Sequence, residues 1–109
     1  MHFSDYQKQS RLSAIYPQMG QNFTYSLIGL VGETGEVAEK IKKLIRDKQS
    51  KLDNDYRAEI KKEMGDILWY FSQLATDLGI GLEDLVKTNL KKIKSRQVRH
   101  KIHGNGDNR

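Results

Sequence analysis

Proline occurs once in this chain, at Pro17, and nothing else interrupts two long central segments whose apolar residues recur with a helical period. A proline inside a helix removes a hydrogen bond and clashes with the preceding turn, so a chain this poor in proline is free to build long helices. The expected fold is all-α, a bundle of four main helices. The first is expected from Asp5 to Tyr16, with Pro17 and Gly20 ending it, and the second from Phe23 to Asp47, with Asn22 as its cap. The polar stretch DKQSKLDND reads as a loop. The third helix is expected from Tyr56 to Leu78, before the break GIG, and the fourth from Leu82 to Val98. Glu83 and Asp84 at the start of that last helix, and bases near its end, both suit the helix macrodipole.

At 109 residues the chain suits a single domain, expected over residues 1–103, with 104–109 as a Gly-rich tail. Apolar residues make up 37%, a modest supply for a core, so part of the burial is expected from a partner chain. No apolar run approaches the length that crosses a bilayer, and MHFSDYQKQS lacks the apolar core of a signal peptide, so no membrane partner and a cytoplasmic setting are expected. The absence of cysteine excludes disulfide and thiolate chemistry. The formal net charge of +5 points to anionic partners, either nucleic acid or small phosphates. That charge is uneven: Lys91 to Arg109 holds seven Lys or Arg residues against the single acid Asp107.

Two pentads stand against the basic trend. ETGEV, Glu33 to Val37, and EMGDI, Glu63 to Ile67, share one pattern of Glu, any residue, Gly, an acid and a β-branched aliphatic. At 100° per residue, Leu27, Leu30, Val31, Thr34, Val37, Ala38, Ile41 and Leu44 form one apolar arc of the second helix, with Glu33 at its edge and Glu36 further out. Glu63 and Asp66 take the same edge positions on the third helix. Antiparallel packing through the arcs would bring four carboxylates together. Such a cluster either raises its own pKa values or binds a hard cation, and oxygen ligands suit Mg²⁺ or Mn²⁺. Glycine inside a helix costs about 0.5–1 kcal/mol relative to Ala, so Gly35 and Gly65 are expected to permit close approach of a backbone or a ligand. The bland reading is surface acids paired with lysines such as Lys40 and Lys62.

The fourth helix carries the opposite charge. Asn89, Lys92 and Arg96 share a face beside the apolar line Leu82, Val86, Leu90 and Ile93, a cradle for polyphosphate or simply a solvated basic face. Trp69 points away from its own apolar arc, and packing against a partner or another helix is favoured over stacking on a base. The histidines His2, His100 and His103 form no ligand spacing, and no nucleophile triad or Gly-rich phosphate loop is present.

These residues resemble the MazG-like nucleotide pyrophosphohydrolases, whose members share a Glu-x-x-Glu, a spacer and a Glu-x-x-Asp. Here the elements are Glu33-x-x-Glu36 and Glu63-x-x-Asp66, followed by Asn89, Lys92 and Arg96, and the resemblance runs from about Leu27 to Arg96. It implies an all-α fold assembled as a homodimer or homotetramer, and Mg²⁺-dependent cleavage of a nucleoside triphosphate between its α and β phosphates. It also implies metal ligands at Glu33, Glu36, Glu63 and Asp66, and phosphate contacts from Asn89, Lys92 and Arg96. Where many members carry a third acid, one turn after the second Glu, this chain has Lys40, which implies a leaner ligand set or a lysine on phosphate. HGNGDNR resembles the tail of short members, with Arg109 folding over the phosphates or the tail left free. Glu36 is the expected group for holding or deprotonating the attacking water. The rival reading is a small basic helical nucleic-acid-binding protein without catalysis, which leaves the paired pentads unexplained. A third is a helical assembly protein that keeps only the shape.

Overall fold

The computed structural model describes residues 1–109 and contains four helices: α1 (Phe3–Arg11), α2 (Thr24–Lys48), α3 (Asn54–Asp77) and α4 (Leu82–Val98). The all-α bundle follows from the sequence, and no helix is long and apolar enough to cross a membrane. The helix ends have local causes. Asn22 Oδ1 accepts the Thr24 amide at the start of α2, and Asp53 Oδ1 accepts the Tyr56 amide at 2.7 Å, which starts α3 ahead of the expected Tyr56. Gly79 takes φ +71° beyond α3, and the amides of Gly79 and Ile80 return to Thr76 and Ala75, so the helix stops where a left-handed residue costs nothing.

α2 and α3 form an antiparallel hairpin that organises the molecule. The register is read from its cross-pairs: Lys40 with Tyr56 and Glu59 near the loop, Glu33 with Glu63 and Asp66 in the middle, Ser26 with Asp77 at the far end. The packing face differs from the expected arc. On one face of α2, Ser26, Gly29, Leu30, Glu33, Val37, Lys40 and Leu44 lose water, whereas Val31 is 65% exposed and Leu27, Ile41 and Ile45 also face outward. The helix is turned by roughly 80° at 100° per residue, because small Gly29 and Ser26 let α3 approach on their side. Half of the apolar arc is therefore uncovered in a single chain.

The buried interior is correspondingly thin and half polar. Ala14, Leu44, Ile60, Ala75 and Leu82 are buried, and so are Ser10, Ser26, Ser72, Gln73 and Arg96. Most of these polar groups belong to one network where α1 crosses the end of the hairpin. Asp77 receives Tyr16 Oη at 2.6 Å, Ser26 Oγ at 2.9 Å and Arg11 at 2.9 Å. Gln73 donates to Ser10 and accepts from Arg11, and Ser10 shares a hydrogen bond with Ser72. This network also ends α1 at Arg11 rather than at Tyr16. The chain turns over Leu12–Ala14 so that Arg11 and the Tyr16 hydroxyl both reach Asp77. From α1, Gln7 spans the α3–α4 turn, donating to Ile80 O and Thr76 and accepting the Leu82 amide at 2.8 Å. α4 touches α1 and α3 but not α2, and its outer half leaves Leu90 61% exposed.

Candidate metal and phosphate site

The hairpin brings three of the four pentad carboxylates together. One oxygen each from Glu33, Glu63 and Asp66 lies within 4.8 Å of the other two. Glu33 and Glu63 are half-buried and Asp66 is exposed. Glu36, one turn along α2, is exposed and stands outside the trio, although its charge still acts on Glu33. The Glu33 carboxyl is pushed above the ordinary range, first by loss of water and then by the charges of Asp66, Glu63 and Glu36. None of the four acids has a lysine or arginine partner, since every ion pair of the chain lies elsewhere. Lys40 reaches Glu59 at 3.6 Å instead, so surface acids neutralised by neighbouring lysines do not describe this cluster. Three clustered hard oxygens, repelling one another and partly dehydrated, are a donor set that fits Mg²⁺ or Mn²⁺.

One contact fixes this geometry. A Cβ on Gly29 would fall 2.2 Å from Tyr70 Cε1 and 2.6 Å from Cζ, so the tyrosine ring lies directly on the α2 backbone. Gly29 is one turn before Glu33 and Tyr70 one turn after Asp66, which sets the spacing of the helices beside the carboxylates. The close approach expected at Gly35 and Gly65 is absent within the chain, where both face open space. Trp69 packs inside the same molecule, donating to Ser13 Oγ at 3.0 Å and standing edge-on to Tyr16 and Tyr70.

The basic residues sit at the other end of the molecule's chemistry. Asn89 and Lys92 line a shallow cleft on α4 with Ile80, Asp84, Leu85 and Thr88. Lys92 and Arg96 both bind Asp107 of the tail, at 3.1 Å each, and Arg96 also donates to the Asp107 carbonyl at 2.7 Å. The two cations hold the Asp107 carboxyl below the usual carboxylate range. Arg109 turns back onto its own loop, donating to the carbonyls of Lys101, Ile102 and Gly106.

Helical position already places Tyr70 near the carboxylate edge of α3, but other participants carry no periodic signal in the sequence. Tyr6 of α1 is raised in pKa by burial and by the Asp66 charge, and Tyr70 by burial and by Tyr25, Glu33 and Asp66, so both phenols border the carboxylates. Gly29 and Asp107 act only through partners distant in the chain. Nothing short of the fold distinguishes Gly29 from Gly32, which meets no neighbour.

The sequence as a whole has counterparts among known proteins. The chain is 41% identical to the Gene 37 protein of Mycobacterium phage L5 over 114 aligned positions, covering all of both chains. No solved structure gives a significant match. Residues 21–100, which span the hairpin and α4, match the MazG nucleotide pyrophosphohydrolase domain, and the chain belongs to that family.

Proposed function

We propose that the protein is a metal-dependent nucleoside triphosphate pyrophosphohydrolase that cleaves between the α and β phosphates, releasing a nucleoside monophosphate and pyrophosphate. The observation that carries this reading is the trio Glu33, Glu63 and Asp66, clustered and without a cationic side chain. In this reading the trio holds Mg²⁺ or Mn²⁺, with Glu36 one turn along α2 beside it. A cation bound there polarises a phosphoryl oxygen and lowers the pKa of a bound water. Glu36, exposed and flanking the trio, orients the attacking water and takes its proton. The water oxygen bonds to the α-phosphorus as the bridging oxygen leaves with the pyrophosphate. Lys92 and Arg96, with Asn89 beside them, bind the leaving phosphates and offset their growing charge. Lys40 is engaged with Glu59 and Arg109 with the tail's own carbonyls, so the phosphate contacts expected of them form no part of this reading.

The reading includes assembly as a homodimer or homotetramer. The uncovered apolar face of α2 supports it, because Leu27, Val31, Ile41 and Ile45 lack cover within one chain. The separation of α4 from α2 supports it as well, since a second copy can bring a basic helix to the carboxylates.

The test is pyrophosphate release from a panel of canonical and modified nucleoside triphosphates with Mg²⁺, comparing the native chain with Glu63→Gln. Turnover of at least one nucleotide is expected, together with a loss in the variant of about 100-fold or more. The same variant should bind Mn²⁺ at least about 10-fold more weakly in calorimetry. Hydrolysis of no nucleotide, with Mn²⁺ affinity equal in both proteins, would remove the proposal.

A further inference from the structure

The tail loop is a built element. His100 takes φ 57° at the end of α4, and the amides of His100 and Lys101 return to Gln97 and Arg96, closing the helix and turning the chain back along it. Arg109 then ties the loop to itself through three main-chain carbonyls. This loop delivers Asp107 to Lys92 and Arg96. One carboxylate oxygen, Oδ1, takes both cations at 3.1 Å.

The match is incomplete in a telling way. The Arg96 side chain is only 8% exposed, yet its Nε is buried without any hydrogen-bond partner. A buried donor left unpaired is costly, and an arginine fork is best used by an anion that meets two of its nitrogens. Asp107 engages one guanidinium nitrogen, NH2, and brings one negative charge to two positive ones. A phosphate group offers three oxygens and can meet Nε, NH2 and Lys92 together. The Asp107 side chain is 80% exposed, so a competing anion reaches it from solvent, and an exposed ion pair is readily exchanged.

From this geometry we infer that Asp107 is an internal carboxylate that occupies the Lys92–Arg96 pair in place of a phosphate and yields to a polyphosphate. The inference rests on the assignment of substrate phosphates to α4 made above. Asp107 and the tail move off as the phosphates enter.

The experiment uses the full chain without metal and titrates inorganic pyrophosphate by calorimetry into the native protein and into Asp107→Asn, Arg109→Ala and Arg96→Ala. Asp107→Asn keeps the shape and removes the competing charge, so pyrophosphate should bind about 3- to 10-fold more tightly. Arg109→Ala frees the loop while leaving Lys92, Arg96 and Asp107 intact, and should change affinity in the same direction. Hydrogen exchange in the native protein should show the amides of residues 104–109 exchanging faster when pyrophosphate is bound. Unchanged or weaker binding in Asp107→Asn overturns the inference. If Arg96→Ala alone then weakens binding, phosphate does bind on α4 and only the role of Asp107 falls. If Arg96→Ala also binds as the native chain does, the assignment of phosphate to α4 falls with it. Weaker binding in Arg109→Ala overturns the inference too, and points to direct contact of Arg109 with phosphate.

Discussion

The α2–α3 hairpin holds carboxylates at two places, and the fold treats them in opposite ways. At its far end the Asp77 side chain is buried, which by itself would raise its pKa, yet hydrogen bonds from Tyr16, Ser26 and Arg11 outweigh that and hold the carboxyl below its ordinary range. At its middle, Glu33, Glu63 and Asp66 lie closer to water and lack any such donor, and Glu33 is pushed upward. Depth is therefore not what separates them. The difference is in donors: one site supplies its own cation and hydroxyls, and the other leaves its charge for something else to neutralise. The first pattern serves the fold, and the second is the one on which the proposed metal site rests.

The largest expected effect tests the satisfied end. Asp77→Ala leaves Arg11 without its partner inside a packed network and should cost about 3–5 kcal/mol of stability in urea unfolding. Acid should act in the same direction. Because Asp77 is lowered in the folded state, its contribution is complete above the unfolded carboxylate value and is lost as the pH falls through the lower folded one. Asp77→Asn should flatten that part of the stability profile. Equal acid sensitivity in the two proteins would mean that Asp77 is not the satisfied partner described here.

A smaller effect tests the spacing between the helices at the open end. Gly29→Ala places a methyl against the Tyr70 ring and should cost about 1–3 kcal/mol, as overpacked cores do. If this contact sets the carboxylate spacing, calorimetry should also show Mn²⁺ bound about 10-fold more weakly. Gly32→Ala, whose methyl meets nothing, is the control and should leave metal affinity unchanged.

The smallest effect has the opposite sign. Glu33→Gln relieves repulsion within the trio, so without metal it should stabilise the chain by about 0.5–1 kcal/mol in thermal melts. It should also abolish the gain on adding Mg²⁺ that is expected of the native chain. A carboxylate whose removal stabilises only the metal-free protein would complete the contrast with Asp77.

How far the sequence carries this contrast depends on the kind of signal. α4 begins and ends at Leu82 and Val98 as periodicity and charge suggest, and the paired pentads announce the acid cluster. Both are local patterns repeated along one helix. Asp77 was invisible as a site because its partners Arg11, Tyr16 and Ser26 are polar residues scattered over other elements. The turn of α2 about its axis that exposes Val31 is equally hidden, since it depends on which side of the helix is small enough for Tyr70 to approach. A hydrophobic arc says which residues prefer to be dry, but not which of them one chain can cover.

Gln7 has a consequence for how the chain is tied together. Its side-chain amide joins α1 to Thr76, Ile80 and Leu82, partners 69 to 75 residues away. The entropy of closing a loop grows only with the logarithm of its length, so spanning nearly 75 residues costs about 4 kcal/mol beyond a fixed term. The α2–α3 loop closes over far fewer residues and costs correspondingly less. The hairpin that carries the carboxylates is thus topologically cheap, and the larger closure falls on the short first helix and the turn it clasps.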